Sequence, residues 1–228
     1  MKNYKTPIIL FAVFEIIAIS LWLATGSLFY LLNFSYIGTI IGVGLALSKA
    51  GWKYAREFIQ FGVGAYMLVF LGLICRENMQ IEGFWYYLFS GVVGAGVLHY
   101  LIAKIFGPLL FGRGWCGYAC WTAMILDLLP YKQPRGPRKK IGFIRYIVFA
   151  LSLILVLLLF HFDKANKHTL FMLFLIGNLA YYVVGILLAV VFKDNRAFCK
   201  YICPVTVFLK PMSYFSLLRI HCDESKCI

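Results

Sequence analysis

Six long apolar stretches, separated by short polar or basic intervals, organise this chain: 7–25, 28–48, 57–75, 84–106, 142–160 and 170–192. Each is close to the roughly 20 residues that a helix needs to cross a hydrocarbon layer. Backbone amides and carbonyls have no water to bond in lipid, so such stretches satisfy themselves as helices. Strands of a membrane barrel would alternate polar and apolar residues, and these stretches do not. The pattern therefore predicts an all-α membrane protein with six transmembrane helices.

Composition agrees: 62% of residues are hydrophobic and 14% charged, against about 25% charged in a soluble domain. The first stretch lacks a short apolar core followed by a small-residue cleavage site, so it is expected to persist as a helix. The net charge of +13 raises the possibility of nucleic-acid binding. Its distribution argues against that partner. With a cytoplasmic N-terminus and six helices, 19 of the 22 Lys and Arg, counting Arg145 at the inner end of the fifth helix, fall on the cytoplasmic side. Only Arg76, Lys164 and Lys167 fall outside. The positive-inside bias accounts for this charge. The expectation is a multi-pass protein of the cell (inner) membrane with both termini cytoplasmic. The basic segment 131–140 is expected to lie against anionic headgroups.

Two intervals on the cytoplasmic side repeat each other. Arg113-Gly114-Trp115-Cys116-Gly117-Tyr118-Ala119-Cys120 matches Arg196-Ala197-Phe198-Cys199-Lys200-Tyr201-Ile202-Cys203 at the Arg, the aromatic, both cysteines and the Tyr. Each follows an apolar run and opens a shorter apolar segment, expected as an interfacial or re-entrant helix. The unit is thus a helix hairpin plus a Cys loop. Two spans per unit return both loops to one side, which implies a pseudo-two-fold axis along the membrane normal. The chain divides into an N-terminal helix pair (1–56), a first repeat (57–141), a second repeat (142–220) and a short tail (221–228). Gly38, Gly42 and Ala46, and separately Gly91 and Ala95, form small-residue stripes suited to close helix packing.

Six of the seven cysteines sit on the reducing side, which favours ligation over disulfides. One C-x3-C pair cannot complete a four-coordinate site. Two pairs related by a two-fold can, so Cys116, Cys120, Cys199 and Cys203 are expected as one four-thiolate set. Iron–sulfur clusters are held in this way, [4Fe–4S] and [2Fe–2S] alike. Structural zinc also uses four cysteines, though more often in C-x2-C pairs. Soft thiolates suit Cu(I) as well, so metal handling or copper reduction is the alternative function. No Met-x3-Met run marks a copper path through the helices. Arg113, Arg196 and Lys200 would offset the negative charge of a thiolate-bound cluster. Trp115, Tyr118, Trp121, Phe198 and Tyr201 would exclude water.

With these motifs the chain resembles the membrane polyferredoxin proteins. These include the quinol-dehydrogenase subunit of periplasmic nitrate reduction, the nitrous-oxide reductase regulator and the copper reductase of cytochrome oxidase assembly. Cys199-Lys-Tyr-Ile-Cys203-Pro204 matches that family's C-x3-C-P motif, whereas Trp121 stands where the first motif would have Pro. The resemblance covers 84–228. It implies a redox subunit that passes electrons between a cytoplasmic ferredoxin-like domain or partner subunit and a membrane quinone or partner redox site. It also implies that Cys227, near Cys222 in the tail, is the first ligand of a ferredoxin-type domain continuing past Ile228.

Other residues carry weaker signals. Glu15 lies mid-span, where an ionisable group points to function by default, here proton transfer coupled to quinol; the simpler reading is a carboxyl that is protonated or bonded to a neighbouring helix. His99 is a candidate quinone or haem contact, but as a single His without a partner it reads first as a packed, hydrogen-bonded core residue. Asp127 is expected to pair with a nearby cation. Arg76 and Glu77 read as an interfacial pair, and Cys75 as a small apolar residue. No catalytic residue is assigned.

Overall fold

The computed structural model describes residues 4–131 and 140–217. Among them every regular element is helical. Five helices are long and apolar enough to cross a membrane. These are α1 (Lys5–Thr25), α2 (Leu28–Ala50), α3 (Ala55–Ile74), α8 (Ile144–His161) and α9 (Lys167–Phe192). Between them lie α4 (Ile81–Phe89), α5 (Gly96–Phe111), α6 (Gly114–Tyr118) and α7 (Trp121–Leu126). Two short helices come after α9: α10 (Ala197–Tyr201) and α11 (Thr206–Tyr214).

The chain forms two compact units. The first comprises Met1–Leu68 with Gly117–Met124, the second Val69–Cys116 with Ile125–Ile228. In the first unit α1 and α2 form a hairpin, each closed by a left-handed glycine. Gly26 (φ +69°) returns its N–H to the Trp22 carbonyl, and Gly51 (φ +98°) to those of Leu47 and Ser48. The predicted stripe on α2 is in use. A Cβ at Gly38 would stand 2.6 Å from Phe14 Cβ, and one at Gly42 3.2 Å from Phe11 Cβ. Glu15 is not isolated in the apolar layer, because Ser35 Oγ donates to its carboxylate at 2.9 Å.

The second unit departs from the expected fourth span. The stretch 84–106 is not one helix. After α3 the backbone runs extended along α9. Asn78 Nδ2 donates to the Leu170 carbonyl at 3.0 Å, and Gln80 lies against Gly177 further down that helix. α4 then reverses direction. Its Trp85 meets Phe149 and Ser152 of α8, and its Phe89 reaches Phe160 near the end of α8. Gly91 (φ +66°) makes the next turn, and α5 retraces the path, with Gly96 beside Tyr87 and Tyr100 stacked on Phe84. The 77–94 segment is thus a tight hairpin that runs in along α9 and back along α8. A side chain at Gly83 would strike the Asn78 carbonyl, so the return can be this tight only with glycine there. The expected Gly91–Ala95 stripe does not form, since Gly91 is a turn residue. Ile81, Phe84 and Tyr100 make the core of this region, packed by Val97, Phe149, Val205 and Phe208.

Candidate metal centre

The second cysteine motif is built from the end of α9. Lys193 adopts the left-handed conformation (φ 51°) and stops the helix. The next two residues, both buried, organise the cysteine loop. The Asp194 carboxylate accepts from the Arg196 amide at 3.0 Å and from the Lys200 ammonium. Asn195 holds residues 129–131, donating through Nδ2 to the Leu129 carbonyl (2.7 Å) and accepting the Tyr131 amide on Oδ1 (3.0 Å). α10 places Cys199, and the Cys203 amide closes back on the Phe198 carbonyl at 3.0 Å. Phe198 is buried against Tyr181, and Tyr201 against Phe192.

The Arg196 guanidinium reaches from this loop to the first. Nη1 donates to the Cys116 carbonyl at 3.1 Å, and Nη2 pairs with the Asp127 carboxylate. Asp127 therefore finds the cation its position suggested. Arg196 and Lys200 do not stand as free positive charges, since each has a carboxylate partner. Arg113, at the matching place before Cys116, is exposed and lines a cavity with Lys140, Arg145 and Lys210.

One of the chain boundaries between the two units falls between Cys116 and Gly117. On the Cys116 side, the Trp115 ring faces His99 at 6.2 Å between centroids. On the other side, Arg56 donates to the Gly117 carbonyl at 3.4 Å. Trp121 is buried where its Cα meets Gly64 of α3. In the second unit Arg145 donates likewise to the Lys200 carbonyl. Gly117 and Lys200 each directly succeed the first cysteine of their pair, so a basic residue anchors each motif at the same carbonyl.

Cys116, Cys120, Cys199 and Cys203 are half-buried and not joined in disulfides. Among the described residues no three His, Cys, Asp or Glu side chains are grouped closely enough to hold a single metal ion. The donor set nonetheless suits a thiolate-bound cluster. It offers four reduced sulfurs, and beside Cys116 the Trp115 Nε1–H is buried with no acceptor. A donor-only group left in that state is costly, and a cluster sulfur is a natural acceptor. Trp115→Phe is therefore expected to lower the midpoint potential by some tens of millivolts while iron content holds, as measured by redox titration. Cys222 and Cys227 lie outside the described residues.

Cys75 is exposed, and burial first and the Glu77 charge second push its thiol above the ordinary range. Sequence reasoning passed over Asp194 and Asn195, which have no counterparts before Cys116 and so escaped a search for repeated positions. It also passed over Gln80 and Glu82. Both amide atoms of Gln80 and one carboxyl oxygen of Glu82 are buried without partners. An acid and an amide just ahead of an apolar run were the available signal.

Both cysteine segments match a 4Fe-4S binding domain. The matched residues are 93–143 and 170–221, less than half of the chain, and each stretch contains one C-x3-C pair. This match supports an iron–sulfur protein. An uncharacterized protein of Methanocaldococcus jannaschii is 26% identical over 149 residues, covering 60% of this chain and 57% of its own length. No solved structure matches.

Proposed function

We propose that this protein is a membrane-embedded iron–sulfur electron carrier. In this reading Cys116, Cys120, Cys199 and Cys203 share one cluster, [4Fe–4S] in preference to [2Fe–2S]. The observation that carries it is the double match to a 4Fe-4S binding domain, one copy on each cysteine pair. The Arg196 bond to the Cys116 carbonyl supports it further, because it ties one motif to the other. When bound, such a cluster supplies one-electron oxidation and reduction. The chain's own groups hold and tune it. The thiolates ligate, Trp115 donates a hydrogen bond, Phe198 and Tyr201 exclude water, and Arg196 and Lys200, each balanced by an aspartate, keep the surrounding charge near neutral. Electrons would pass between a cytoplasmic ferredoxin-like partner and a quinone or partner redox site in the bilayer. The test is iron and sulfide analysis with visible and EPR spectra of anaerobically purified protein. A preparation that binds zinc stoichiometrically and shows no EPR-active state on reduction would overturn the proposal.

The cysteine motifs and both termini are proposed to face the cytoplasm, supported by the distribution of Lys and Arg. Cys75 and the α8–α9 loop would then face outward. A membrane-impermeant maleimide added outside intact cells should label Cys75, slowly at neutral pH because its thiol is raised. It should not label a cysteine placed at Lys140. Equal labelling at both positions would reject this topology.

A further inference from the structure

The repeat that unites the two motifs breaks at one pair of positions, and a cavity lies at the break. Asp127 and Lys210 each stand seven residues after the second cysteine of their pair, just as Arg113 and Arg196 each stand three before the first. Arg196 meets Asp127, forming a compact ion pair. Arg113 shares a cavity with Lys210, so where one motif has an acid the other has a base. The cavity measures about 330 Å³, and Lys140, Phe143, Arg145 and Tyr146 complete its side-chain lining.

Among the described residues, four cations and no acid line this space. Arg113, Lys140 and Lys210 are exposed, and among the described residues none has an ion-pair partner. Arg145 is buried, with its guanidinium held by the Gly142 carbonyl (Nε to O, 2.6 Å) and the Lys200 carbonyl. Like charges gathered in one cavity repel unless an anion joins them. The space is too large to be closed by a bare ion and near the lower end of ligand pockets. Arginine forks and lysine point charges are the groups that recognise phosphoryl oxygens. Phe143 and Tyr146, both exposed, begin the apolar α8, as aromatic residues do at the headgroup level of a bilayer.

We propose that this cavity binds a phosphate-bearing ligand, whose anionic oxygens take the place beside Arg113 that Asp127 takes beside Arg196. The phosphate can belong to an anionic phospholipid headgroup or to a soluble phosphate ester. Because Arg145 spans from the cavity wall to the carbonyl of Lys200, next to Cys199, an occupied cavity also braces the second motif.

The test uses the full chain in a neutral detergent, titrated separately with phosphatidylglycerol, phosphatidylcholine and inorganic phosphate, with binding read by thermal stabilisation and native mass spectrometry. The comparison protein is Lys140→Gln/Lys210→Gln, two exposed substitutions that leave the Arg145 bonds in place. Saturable binding of phosphatidylglycerol but not inorganic phosphate assigns the site to a lipid. Saturable binding of inorganic phosphate assigns it to a soluble ester. In either case the double variant should bind at least about tenfold more weakly. Equal binding by the double variant, no saturable binding of either anion, or equal binding of phosphatidylcholine and phosphatidylglycerol would overturn the proposal.

Discussion

Replacing Cys116 with alanine is expected to abolish the same EPR signal that replacing Cys199 abolishes. The two residues lie in loops far apart in the chain but tied by the Arg196 bond to the Cys116 carbonyl. Neither C-x3-C pair supplies enough thiolates for a cluster by itself. One shared centre therefore loses a ligand whichever cysteine is removed, and iron and acid-labile sulfide should fall together, to near zero in each variant. Ser in place of Ala retains an oxygen ligand and should leave a fraction of the signal at a shifted potential. Two pair-specific centres would behave differently. Cys116→Ala would spare a signal that Cys199→Ala removes, and that result would refute the shared site.

Arg196→Gln should have the next largest effect. Equal cationic roles for Arg113 and Arg196 would make both variants lower the midpoint potential alike. The structure makes them unequal. Removing the Arg196 guanidinium takes away the donor to Cys116 and leaves the Asp127 carboxylate uncompensated nearby. An added net negative charge disfavours the reduced state, so the potential should fall, on the order of the 59 mV that is tenfold for one electron. Asp127→Asn alone should raise it. The double variant should return most of the way towards the parent value, since the pair is removed as a unit. Arg113→Gln should move the potential much less. Redox titrations of the four proteins decide, and a double variant as low as Arg196→Gln alone would show that the guanidinium acts by its bond to Cys116 and not by its charge.

Features that repeat or obey a fixed spacing were legible in the sequence. The α1–α2 hairpin was readable from apolar length, and its packing from Gly38 and Gly42 one helical turn apart. The cysteine pairs announced themselves by their matched neighbours. The fourth stretch misled because hydropathy adds along the chain without regard to direction. Apolar residues of α4 and α5 sum to one span, although Gly91 turns the backbone between them. The inequality of Arg113 and Arg196 was also hidden, since it depends on Asp127 and Lys210, residues outside the matched core. Buried Asn195 shows the same limit: its three bonds to residues 129–131 arise from folding, and nothing beside it in the chain foretells them.

In the membrane setting proposed above, the 77–94 hairpin bears on how the chain is made. Asn78 has its partner on Leu170, 92 residues later, and Gln80 rests on Gly177. An extended backbone cannot remain in hydrocarbon with its polar groups open. The nascent 77–94 segment therefore has no stable place beside α3 when it leaves the ribosome. In that setting it would wait at the membrane surface until translation has delivered α9, at roughly 5–20 residues per second a delay of several seconds. A ribosome stalled before residue 167 should leave this segment open to protease, and one stalled after residue 192 should leave it protected.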